Sequence, residues 1–116
     1  MKSFTMCFPI LPGKTATWKA FNQELGHSRK VEFDAMMKRC GVSRSRTWLQ
    51  TTSQGETCFS LHEGSSPDRM VTQLMKVNDS FGQWFKGKMM ECHGINLDGP
   101  ESMMKFMVQN GMDCNH

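Results

Sequence analysis

Tyrosine is absent from this 116-residue sequence, which removes one common proton donor from any catalytic scheme. No apolar run approaches the roughly 20 residues that a membrane-spanning helix needs, so no membrane partner is expected. The five cysteines stand at Cys7, Cys40, Cys58, Cys92 and Cys114, with no C-x-x-C spacing among them. Their number is odd, and the short apolar run after Lys2 is broken by Pro9 and Pro12, unlike a signal peptide. Free thiols and a cytoplasmic location are therefore the expectation. A strong excess of one charge is also lacking, since 14 Lys and Arg stand against 11 Asp and Glu. The cations gather at Arg29, Lys30, Lys38, Arg39, Arg44 and Arg46, but Glu24, Glu32 and Asp34 interleave with them. A nucleic-acid binder shows a denser stripe of one sign, so no nucleic-acid partner is expected.

Catalytic and metal motifs are missing too. There is no Ser-His-Asp order, no nucleophile elbow and no glycine-rich dinucleotide turn. Pro12-Gly13-Lys14-Thr15 follows a strand but lacks the glycine five places before Gly13 that a phosphate loop requires; Phe8 stands there. The histidines are His27, His62, His93 and His116. Cys92 and His93 are neighbours, and neighbours on a helix point about 100° apart, which suits no shared metal ion. Asp68, Asp79 and Asp98 fall at turns or helix starts, where capping explains them. No metal and no cofactor are expected.

What the chain does have is methionine, 12 residues of it. Met fills irregular cores and also lines adaptable apolar pockets. The length suits one domain, residues 1–116. Phe4, Met6, Phe8 and Ile10 alternate with Thr5 and Cys7, a strand pattern. A helix is expected from Thr15 as N-cap, with Trp18, Phe21 and Leu25 on its apolar face. After a break at Gly26, a second carries Val31, Phe33, Ala35, Met36, Met37 and Cys40, with Gly41 as its stop. Residues 45–52 and 57–62 read as a hairpin around the turn 53–56. On this reading Leu49, Phe59 and Leu61 share one face, and Trp48, Gln50, Ser60 and His62 share the other. Ser66-Pro67 opens a third helix. A fourth bears Phe81, Trp84, Phe85, Met89 and Cys92 and ends at Gly94. Residues 103–108 are expected to form the last strand.

This order predicts an α+β fold, a ferredoxin-like βαββαβ two-layer sandwich with helices on one face of a four-stranded sheet. The other face, with Cys7, Trp48 and Cys58, is too apolar to stay bare. A homodimer that closes two sheets into a dimeric α+β barrel would cover it.

Three stretches carry a family resemblance. They are Pro9-Ile10-Leu11-Pro12-Gly13-Lys14 with Trp18, Phe21 and Glu24-Leu25-Gly26; Trp48-Leu49-Gln50-Thr51-Thr52 with Gly55; and Phe81-Gly82-Gln83-Trp84-Phe85-Lys86 with His93-Gly94-Ile95. Over roughly residues 6–97 the chain resembles a small, largely uncharacterised group of dimeric ferredoxin-like proteins. More distantly it is similar to the dimeric α+β barrel superfamily, which includes antibiotic-biosynthesis-type monooxygenases. The resemblance implies a fold and no particular chemistry.

From the residues themselves, the candidate pocket is Trp18, Arg46, Trp48, Gln50, His62, Trp84 and His93, an apolar wall with a polar tip. It would take a lipophilic small molecule, one with a carboxylate if an arginine pairs with it. His93, at a helix end, and His62, at a strand end, are the candidate acid–base groups. The expected function is a homodimeric small-molecule-binding protein. The alternative is a cofactor-free monooxygenase or isomerase-like enzyme.

Overall fold

A computed structural model describes residues 2–64, 66–97 and 108–109. Strand β1 (Lys2–Pro9) buries Phe4, Met6 and Phe8 and leaves Thr5 and Cys7 half-buried, the period-two signature of a strand covered on one side. Helices α1 (Thr15–Gly26) and α2 (Lys30–Arg39) follow. Trp18, Phe21 and Leu25 form the buried stripe of α1, and Met36 and Met37 that of α2. Two details differ from expectation. Lys14 holds the N-cap position of α1, and the Thr15 hydroxyl donates instead to the Glu56 carboxylate. Val31 is 83% exposed. It lies five residues before Met36, about 140° around the helix, and so faces away from the core.

Both Gly41 and Gly94 follow helix ends with positive φ, 79° and 71°, where a glycine stop avoids the Cβ penalty. Helix α3 (Pro67–Lys76) starts as expected, with Ser66 Oγ accepting the Arg69 N–H at 3.2 Å and Pro67 as its first residue. Helix α4 (Ser80–His93) starts on Asp79, whose Oδ1 accepts the Gly82 N–H at 2.8 Å. Close packing there requires glycine: a Cβ on Gly82 would sit 2.2 Å from Val77 Cγ1.

Strands β2 (Val42–Thr52) and β3 (Gly55–Gly64) form a long antiparallel hairpin. β3 pairs antiparallel with β1, and a two-residue strand β4 (Val108–Gln109) pairs antiparallel with the other side of β1. The sheet order β2-β3-β1-β4, with helical crossovers after β1 and after β3, is the ferredoxin-like βαββαβ topology, an α+β two-layer sandwich. Of the expected last strand, 103–107 lie outside the described residues, and Val108 is in β4.

The hairpin register corrects the expected faces. Only Ser53 and Gln54 separate the strands, so Thr52 pairs with Gly55 and, from Arg44 to Thr52, every odd residue faces an even one. Trp48 therefore lies opposite Phe59, Arg46 opposite Leu61, and Leu49 opposite Cys58. The bare face holds Arg46, Trp48, Gln50, Phe59 and Leu61. The helix-covered face holds Ser45, Thr47, Leu49, Cys58, Ser60 and His62. Cys58, expected on the bare side, is 4% exposed. A shift of one in the pairing moves every side chain of a strand to the opposite face.

Candidate ligand cavity

Between the covered face of the sheet and the helices lies a cavity of about 380 Å³, within the size range of small-molecule sites. Its walls are largely apolar: Phe8 and Met6 from β1, Phe21 and Leu25 from α1, Met37 from α2, Phe85 from α4. The polar atoms come mainly from the sheet side, through Ser45, Thr47, Ser60 and His62, and from His93 at the end of α4. The helices thus supply most of the oily wall, and the β2–β3 hairpin supplies most of the hydrogen-bonding groups.

His62 is 6% exposed. Its Nδ1 is 2.9 Å from Ser45 Oγ on the paired strand, and its Nε2 is 2.9 Å from Ser60 Oγ two residues back. A hydroxyl both donates and accepts, so the two serines satisfy the neutral ring in either tautomer. The Phe4 ring lies 5.4 Å away, centroid to centroid. Burial pushes His62 down to about 4, so the ring is uncharged at neutral pH.

His93 is arranged differently. Its Nδ1 is 2.8 Å from the Pro9 carbonyl oxygen. A carbonyl only accepts, so Nδ1 carries the proton and the lone pair sits on Nε2. No hydrogen-bond partner for Nε2 occurs among the described residues. Desolvation lowers the His93 pKa, partly countered by the bond to Pro9. The Leu11 N–H donates to the Cys92 carbonyl at 2.8 Å, so two bonds clamp the end of β1 against the end of α4. This clamp positions the imidazole against Phe8, at a centroid distance of 5.4 Å. A neutral histidine held in one tautomer with an open lone pair is a hydrogen-bond acceptor or a general base.

Cys58 also lines the cavity and receives a hydrogen bond from Trp18. Burial pushes its thiol up to about 11, which leaves almost no thiolate at neutral pH. The described cysteines are all free thiols. No three His, Cys, Asp or Glu side chains among the described residues come together to hold a metal ion.

Of the seven pocket residues expected from sequence, the structure brings Trp18, His62 and His93 to the cavity. Arg46, Trp48 and Gln50 lie on the bare face, with the Arg46 guanidinium carbon 5.1 Å from the Trp48 ring centroid. Trp84 lies among the helices, against Phe21 and Phe81 at 5.4 and 5.6 Å and under the Arg29 guanidinium at 4.2 Å. Ser45, Thr47 and Ser60 line the cavity as well, beyond the residues expected from sequence. Their signal was the alternation Cys58-Ser60-His62, small or polar residues where a dry core would place Val or Leu.

Fold and cavity together define a ferredoxin-like α+β two-layer sandwich with a hollow between its sheet and its helices. Among solved structures, the chain is similar to an L-rhamnose mutarotase from Formosa agariphila, with a TM-score of 0.56 and 13% identity over 100% of this chain and 98% of that one. At that identity the likeness shows the fold alone. No family model matches the chain, and no curated protein matches it by sequence. No helix among the described residues is long and apolar enough to cross a membrane.

Proposed function

We propose that this chain is a homodimeric protein that binds a lipophilic small molecule between its sheet and its helices. The cavity carries the reading: apolar walls surround a few convergent polar groups, the usual composition of a small-molecule site. The bare face supports the homodimer. Phe59 pairs with Trp48 on one side and Cys7 on the other, an apolar row across three strands in which Trp48 is 44% exposed. A second copy covers that row face to face, as the barrel-type fold accommodates.

Decanol tests the binding. Calorimetric titration of the purified protein is expected to show saturable binding. Thr47→Phe places a ring into the cavity from an exposed strand position that favours aromatic residues, and is expected to weaken binding at least about tenfold, or 1.4 kcal/mol. Absence of binding to the unaltered protein, or unchanged affinity in the variant, overturns the reading.

His93 favours a second reading, an isomerase-like enzyme that moves a proton on the bound molecule with Nε2 as base. The structural neighbour is named a mutarotase, but a sugar carries a hydroxyl on most carbons. The largely apolar walls here suit a less polar substrate. His62, with both nitrogens held by serines, serves better to orient a polar group than to take a proton.

A further inference from the structure

Resting on that binding reading, we propose that the ligand is an amphipathic anion, whose tail fills the cavity and whose charged head stays at its mouth on Lys38 and Arg44. A second depression, about 580 Å³, lies outside the cavity between α2 and β2. Lys30, Phe33, Asp34, Met37 and Ser45 line both spaces, so the two adjoin. The outer space adds Lys38, from the last turn of α2, and Arg44, which shares the register of Arg46 but lies at the edge of the sheet, opposite Glu63 and just after the irregularity between Val42 and Arg44.

Charge separates the two spaces. The inner chamber has no cation beyond its rim: its two histidines are both shifted toward the neutral form. An anionic head placed there would lose its hydration without gaining a counter-charge, which is unfavourable. In the outer space the Asp34 carboxylate is already engaged by Lys30 Nζ at 2.5 Å. Lys38 and Arg44 have no ion-pair partner among the described residues. Phe33, Met37 and Val42 give the outer space an apolar floor. An oily cavity beside two cations that have no ion-pair partner among the described residues fits a molecule with an apolar tail and one anionic head. Both cations are exposed, so the head remains hydrated while they attract it.

Three probes with the same tail read this directly: decanol, decanoate and decyl phosphate, titrated calorimetrically at low ionic strength. At least one anion is expected to bind about tenfold or more tighter than decanol, and the comparison of decanoate with decyl phosphate identifies the head. The double variant Lys38→Glu, Arg44→Glu is expected to remove that advantage, as is salt at about 0.5 M through screening. Equal affinity for decanol and both anions overturns the inference and leaves the binding reading standing. An anion advantage that survives the double variant overturns it as well. Failure of all three probes to bind overturns both.

Discussion

On the face covered by helices, β2 and β3 present Ser45, Thr47, Ser60 and His62; on the bare face the same two strands present Trp48, Phe59 and Leu61. A lone two-layer sandwich favours the reverse, with apolar residues against the helices and polar ones toward water. The contrast gives each face a separate cause. The polar groups inside remain because a hollow, not a dry core, lies above them. The aromatic and aliphatic groups outside have a cause if, as proposed, a second copy of the chain covers them. β1 shows the ordinary arrangement beside them: Phe4, Met6 and Phe8 point in, all under 6% exposed.

The contrast breaks most sharply at the bare face. Trp48→Glu puts a charge into the apolar row and is expected to convert the proposed dimer into a 13.3 kDa monomer with its helical signal intact. Sedimentation velocity reads the mass and circular dichroism the fold. A dimer that survives the substitution removes the bare face from the assembly.

A smaller effect sharpens the covered face. The folded-state pKa of His62 is depressed to about 4 from 6.5. Below 6.5 the unfolded chain therefore takes up the proton first, and stability falls as pH drops toward 4. Burial shifts His93 in the same direction. The loss from His62 is on the order of 3 kcal/mol across that window. Denaturant melts at pH 7.5 and 4.5 are expected to show it, and His62→Gln to reduce it. A pH-independent midpoint in the unaltered protein contradicts the buried, neutral ring. Because the effect belongs to the covered face, Trp48→Glu is expected to retain it.

The element order was legible in the sequence because each element carries a local signal. Ser66-Pro67 and Asp79 announce helix starts, Gly41 and Gly94 announce stops, and the alternation of Phe4, Met6 and Phe8 announces a strand. The faces of the hairpin were not legible, because they depend on one residue of turn length. Reading the turn as 53–56 leaves the pairing open, whereas the two-residue turn at Ser53 and Gln54 fixes odd opposite even. That single choice moved Arg46, Trp48 and Gln50 away from His62. Trp84 was out of reach for another reason: helical periodicity places it on an apolar stripe but does not distinguish a cavity wall from a contact between helices. His93 was legible as a helix-end histidine. Its tautomer depends on the Pro9 carbonyl, distant in sequence.

The methionines test the central claim most directly. With their methyl groups labelled with carbon-13, Met6, Met37, Met70 and Met89 report from the cavity wall, while Met75 and Met90 lie away from it. Titration with decanol, followed by NMR, is expected to shift the first four signals together and leave the other two in place. Signals that stay still throughout, or Met75 and Met90 moving as far as the rest, would contradict a ligand-holding hollow between the sheet and the helices.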